Sequence, residues 1–347
     1  MKKIFLSRAI IIALTLYSLL LISGCSKSST DTFNKWSADL TRALTTELPF
    51  QEIELFYGTD RKPSGSTVPA KTFGDTKGSL SWGGCTIAVP YDKEIKGLKK
   101  SRFTMTSYGL SAASSYEVTD VRQLPQRSFE TTIAKRLETN PANSALIFVH
   151  GFNVSFAEAA KRTARMSYQL QYQGAPLFFS WPAQGEKLDY MQDEQNADYT
   201  VAQLTEFLEV VAEESTAENI YLIGNNMGCE PLCEALAKLK LSPENMARIR
   251  ELILIAPDIN RNKFANTILP RLHNTSAHIT VYTSNRDDKL ALAHRERAGV
   301  RLGDVVNNAD LPGIDFVDAS AIDTSLNGKP RFVKQTSIYN DFANIIK

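Results

Sequence analysis

The sequence predicts an α/β domain with a mainly parallel central sheet, helices on both faces and antiparallel opening strands. Three observations lead there. From about residue 145 onward, short apolar runs alternate with amphipathic stretches, the rhythm of repeated β-α-β units. The first of these runs, residues 145–149, is continuously apolar, as expected of a strand covered on both faces. Upstream, residues 53–57, 78–82 and 85–90 read as short strands with turn residues between them, which is the pattern of an antiparallel region.

The chain has 347 residues and 43% hydrophobic content, enough for one large α/β domain with a sizeable core or two small ones. A net charge of +1 supplies no global field for nucleic acid or acidic partners. Four cysteines are too few for a disulfide scaffold.

The N-terminus has its own logic. Lys2, Lys3 and Arg8 form a positive segment, residues 9–22 are apolar, and Ser23, Gly24 and Cys25 follow. Small residues before a cysteine resemble a lipobox, with residues 1–24 as a lipoprotein signal peptide and Cys25 as the acylated residue. Ile22, where the pattern has leucine, departs from it. An ordinary signal peptide or a signal-anchor helix is the alternative. Acylation with several chains would anchor the protein stably to a membrane. Ser26 resembles sorting to the outer membrane, facing the periplasm. Residues 27–31 are polar and suit a tether. Residues 32–48 place Phe33, Trp36, Leu40 and Leu44 near helical spacing. The tether and short helix therefore occupy 25–48, and the α/β domain 49–347.

Within the domain, residues 60–67 are rich in Pro, Gly and Ser and read as a loop. The strand at 145–149 leads to a helix at 155–172, a strand at 177–180 and a long helix at 193–215. A strand at 220–224, a helix at 227–240 and strands at 251–255, 278–283 and 314–317 follow, and a helix at 335–346 closes the chain. There is no internal repeat.

Residues 220–229 carry the most chemical information. A strand, then Gly224, Asn225, Asn226, Met227 and Gly228, then a helix, has the form of a nucleophile elbow, in which small residues flank a sharply turned apex. An unrelated strand-turn-helix is the alternative. The apex holds Asn226 where serine or cysteine is expected. An amide cannot be activated by a neighbouring imidazole, yet asparagine tolerates positive φ better than most residues. The elbow shape can thus outlive its chemistry. His150, Gly151, Phe152 and Asn153 follow the strand at 145–149, where an elbow fold places one oxyanion-hole amide, here on Phe152; the other belongs to Met227. His150 reads as a buried residue that shapes this loop.

Taken together these motifs resemble the bacterial lipase-like α/β-hydrolase family of unknown function. The likeness rests on residues 56–62, 83–90, 150–156, 179–182, the elbow, 256–258 and 281–284. It implies an α/β-hydrolase fold and an ester-hydrolase-like site of serine, acid and histidine. In this chain that site is degenerate. The nucleophile position falls on Asn226. The acid falls on Asp288 or Asp287, with Asp258 another carboxylate at the same sheet edge. The histidine position falls on Lys329, and no histidine follows His294. Lys329 reads either as an ion-pair partner for the acid or as a solvated loop residue.

Other residues carry less. Cys229 and Cys233 share a helix face but lack further ligands nearby, so they read as buried small residues rather than a metal site. No cofactor is implied. The function expected is a lipid-anchored envelope protein of altered or absent hydrolase activity that binds an ester or carboxylate-like ligand. The alternatives are an active esterase using non-standard residues and a scaffold without ligand.

Overall fold

In the sheet, the strands run in the order β3-β2-β1-β5-β4-β6-β7-β8-β9. The computed structural model describes residues 50–90, 116–140, 142–183, 190–273, 275, 277–285, 299–304, 311–320 and 338–346. The expected signal peptide at 1–24, Cys25 and the expected helix at 32–48 lie outside them, and residues 51–347 make up one unit.

β4 (Ser144–Val149), β5 (Ala175–Ser180), β6 (Asn219–Asn225), β7 (Ile249–Ile255), β8 (His278–Thr283) and β9 (Ile314–Asp318) pair in parallel with their neighbours. β1 (Phe50–Pro63) joins them through parallel pairing with β5, with Tyr57 opposite Phe178. β2 (Phe73–Pro90) and β3 (Glu117–Leu124) are antiparallel at one edge.

The unbroken apolar runs of β4 and β5 follow from cover on both sides. Ala145, Ile147 and Val149 enter one core, while Leu146 and Phe148 enter the other. Alternate side chains of a strand point to opposite faces, so both parities must be apolar where helices cover both. These are α1 (Gln126–Glu138), α2 (Phe156–Gln169), α3 (Tyr190–Glu214), α4 (Cys229–Leu236) and α5 (Ile338–Ile345). Phe129 of α1 and Phe207 of α3 fill the first core, Phe156 of α2 and Phe342 of α5 the second. Ser155 starts α2 by accepting the Glu158 amide at 3.2 Å, a side-chain cap on an otherwise unpaired donor. Among the described residues no helix is long and apolar enough to cross a membrane.

The opening region departs from expectation. Residues 78–82 and 85–90 are not two strands but parts of β2, which runs through Gly83 and Gly84. Gly83 is there for close approach rather than for a turn, since a Cβ on it would overlap the Arg122 carbonyl and the Tyr57 ring. β1 likewise continues to Pro63, into the expected loop at 60–67. β3 and α1 were not expected at all. β3 is an edge strand with mostly exposed side chains, so it lacks a core-facing apolar period. The helix expected at 227–240 is a 3-10 turn at Asn226–Gly228 followed by α4.

Candidate functional site

β5, β4, β6, β7 and β8 are neighbours and parallel, so the loops leaving their C-terminal ends share one rim of the sheet. Open α/β sheets bind ligands at this rim. Its backbone is also strained. Asn153 after β4, Asn226 after β6 and Ala256 after β7 have φ of +54°, +50° and +44°, a region costly for residues with a Cβ.

The elbow has the form expected. β6 ends at Asn225, Asn226 turns with positive φ, and a helical turn begins at once. Both flanking glycines are required by contact. A Cβ on Gly228 would overlap the His150 carbonyl oxygen, and one on Gly224 would sit 3.1 Å from the Cys229 sulfur. Gly151 completes the packing, because its Cβ would meet the Asn225 carbonyl at 2.7 Å and Asn226 Cβ at 2.9 Å. The loop after β4 therefore lies directly on the apex, and Phe152 and Met227 follow immediately on its two sides. Met227 lies in the opening turn of its helix, where amides have no intrahelical acceptor. Asn226 itself is 1% exposed, its backbone carbonyl accepts the Asp258 amide at 3.2 Å, and neither Oδ1 nor Nδ2 has a hydrogen-bond partner among the described residues.

His150 opens the loop after β4. It is fully buried and stacks on Trp181 with ring centroids 5.1 Å apart, and the Trp181 indole donates to the His150 carbonyl at 2.7 Å. Donor counting assigns its tautomer. Arg61 Nε donates to Ser180 Oγ at 2.9 Å, and Ser180 lies 3.2 Å from His150 Nε2. Nδ1 lies 2.9 Å from the Gly151 carbonyl, which can only accept. Nδ1 thus carries the proton, and Nε2 accepts from the serine hydroxyl.

Arg61 anchors this side of the rim. It also donates to Val154 O at 2.6 Å, Gly74 O at 3.1 Å and Asp75 Oδ1 at 2.9 Å. Burial lowers its pKa to about 10, against the pull of Asp75, Asp60 and Asp193. Asp60 is buried beside it and accepts the Thr200 hydroxyl at 2.6 Å. Burial raises its pKa to about 6, although Thr200 and Arg61 favour the anion. Asp193, in the first turn of α3, accepts the Asn153 amide at 3.3 Å and so ties the loop after β4 to that helix.

On the other side of the apex, Asp258 meets Arg301. The guanidinium Nε is 3.4 Å from Asp258 Oδ1, with both side chains buried. This is ion-pair distance without hydrogen-bond alignment, and Arg301 Nε and Nη2 have no hydrogen-bond partner among the described residues. The Arg301 segment is held by backbone bonds from Leu302 N to Ile259 O and from Gly303 N to Pro257 O, both at 2.9 Å.

The rim thus unites Asn226, His150, Phe152, Met227 and Asp258. Asp287, Asp288 and Lys329 lie outside the described residues. Arg61, Asp60 and Arg301 were not singled out from sequence, and Ser180 is a serine that follows a strand without elbow geometry. Arg61 and Ser180 belong to motifs that carried the family likeness, but Arg301, between two glycines, has no local signal. Cys229 is buried against Ile255, and burial pushes its thiol well above the usual range, which disfavours the nucleophilic thiolate. Among the described residues no three His, Cys, Asp or Glu side chains cluster as metal ligands. At the apex, then, are hydrogen-bonding groups without a nucleophile.

A family model described as alpha/beta hydrolase of unknown function (DUF900) matches residues 125–345. No curated protein matches the chain. Among solved structures, a dienelactone hydrolase from Anabaena variabilis is 11% identical, with 85% of this chain and 94% of that chain covered and a TM-score of 0.37. A lipase-esterase related protein from Clostridium acetobutylicum is 12% identical, covering 59% and 94%, with a TM-score of 0.33. An esterase from Pyrococcus furiosus is 12% identical, covering 60% and 80%, with a TM-score of 0.34.

Proposed function

The chain belongs to the alpha/beta hydrolases of unknown function (DUF900), and from that premise we propose that it is a lipid-anchored envelope protein in which binding has replaced nucleophilic catalysis. Its ligand presents a carbonyl group, of ester or carboxylate kind, to the elbow. The observation that carries this reading is Asn226, an amide at the apex of an intact elbow with both polar atoms buried and unpartnered. An amide cannot take the part of an activated serine. It can donate and accept hydrogen bonds, and a scaffold with no ligand would gain nothing from leaving such a group unsatisfied.

A second reading, an active esterase, draws on one contact, Ser180 Oγ to His150 Nε2 at 3.2 Å. Two facts weigh against it. Ser180 Oγ already accepts a hydrogen bond from Arg61, and Ser180 ends β5 with no positive-φ turn such as the one at Asn226. The positive segment, apolar segment and Cys25 at the N-terminus support the anchor, and Ser26 supports the outer membrane, facing the periplasm.

A fluorophosphonate probe tests the loss of catalysis. The purified protein is expected to stay unlabelled, and a covalent label on residues 220–229 or on Ser180 would refute the reading. For the anchor, Cys25→Ala is expected to leave an unprocessed precursor without fatty acid. Normal processing of that variant, with no lipid mass on the parent protein, would remove the anchor from the proposal.

A further inference from the structure

We propose that the group recognised at Asn226 is a terminal carboxamide, bound in preference to an ester or a carboxylate. The inference rests on the binding reading above and narrows its ligand class.

The argument is an inventory of donors and acceptors. A side-chain amide has an acceptor oxygen and a nitrogen with two N–H donors. In Asn226 both kinds are buried and both lack a partner. Native folds leave few buried polar groups unsatisfied, because each costs free energy. The apex is also fixed. Its carbonyl is taken by the Asp258 amide, and Gly151 is pressed against its Cβ, so the side chain has little freedom to turn toward other protein groups.

An ester carbonyl accepts only. It would satisfy Nδ2 and leave Oδ1 bare. A carboxylate also accepts only, and it too would leave Oδ1 bare. A carboxamide satisfies both atoms. Its N–H donates to Oδ1 and its carbonyl accepts from Nδ2, giving a cyclic pair of two hydrogen bonds. The second lone pair of that carbonyl is available to an oxyanion-hole amide such as that of Met227. On this view, exchanging serine for asparagine changed the chemical group the elbow reads and left the backbone donors in place.

The test uses the intact protein and three probes with one acyl chain: butyramide, methyl butyrate and butyrate. Binding is followed through the Asn226 side-chain NH2 resonances, which report contact at that group directly. Butyramide is expected to bind roughly 10- to 100-fold more tightly than the other two, the effect of one buried acceptor left unpaired. In Asn226→Gly, which lacks those resonances, the three probes are compared by titration calorimetry, run on the parent as well, and the preference is expected to be abolished. Methyl butyrate or butyrate binding as tightly as butyramide would overturn the carboxamide proposal and leave the binding reading standing. No shift with any probe at saturating concentration would overturn both.

Discussion

Replacing Asn226 by glycine is expected to stabilise the unliganded protein. Four terms set the size. Two buried, unpartnered polar atoms disappear, each worth about 1–3 kcal/mol. The φ of +50° stops being a burden, a gain of up to about 1 kcal/mol for asparagine, which bears this region better than most residues. Against these, glycine adds freedom to the unfolded chain at about 1 kcal/mol. The lost side-chain contacts cost a further 1–2 kcal/mol or so, at the low end for a small side chain. The balance on these terms runs from about zero to a net gain of about 5 kcal/mol. Asn226→Ala is the control, since it removes the same polar atoms but keeps a Cβ at positive φ; it is expected to be no more stable than the glycine variant. Urea unfolding followed by tryptophan fluorescence measures both, with an unchanged m-value as the condition for comparison. A glycine variant less stable than the parent by more than about 1 kcal/mol would refute the reasoning. It would mean that the Asn226 amide is satisfied within the free protein and is not held ready for a ligand. Residues kept at a cost in stability are characteristic of functional sites.

Three further outcomes follow from the same rim. Arg301→Met is expected to destabilise by about 3–5 kcal/mol in urea titrations, because it removes the cation at ion-pair distance from a buried carboxylate; adding Asp258→Asn should recover most of the loss, and a mild effect of the single change would show that the pair is not coupled. Asp60→Asn tests pH dependence. With its pKa raised from 3.8 to about 6 in the fold, Asp60 holds its proton in the native state and loses it in the unfolded chain between these values, so stability falls as pH rises from about 4 to 6. The asparagine variant should therefore be more stable at pH 7 by about 3 kcal/mol, because each pH unit separating the two pKa values is worth about 1.36 kcal/mol, with the difference vanishing near pH 4; a gap independent of pH would reassign it to the Thr200 contact. Gly228→Ala would drive a methyl group into the His150 carbonyl and is expected to cost at least about 3 kcal/mol or prevent folding, whereas a neutral result would mean that the loop after β4 does not rest on the elbow.

Much of the fold is legible because its cause is local. Residues 145–149 are apolar in both parities, and a strand of that kind has to be covered on both faces wherever it lies in the sheet. The elbow is legible for the same reason. A glycine two residues before Asn226, another two after, and an apex residue tolerant of positive φ are backbone requirements, and the observed φ of +50° meets them. The opening strands were read less well. Gly83 and Gly84 punctuate a sequence as turns do, but here Gly83 admits the Arg122 backbone and the Tyr57 ring, neighbours that no short window contains.

The sequence by itself therefore determined the parallel architecture, the shape of the elbow and the absence of a nucleophile at its apex. Tertiary structure alone decided which polar groups are satisfied. Arg61 reaches Ser180 across 119 residues, Ser180 reaches His150 across 30, and Thr200 reaches Asp60 across 140. Those links make His150 a structural support, and the lack of any such link at Asn226 makes it a candidate binding group. Backbone conformation is set largely by a residue and its immediate neighbours, whereas a buried hydrogen bond needs a partner that only folding brings within 3 Å or so.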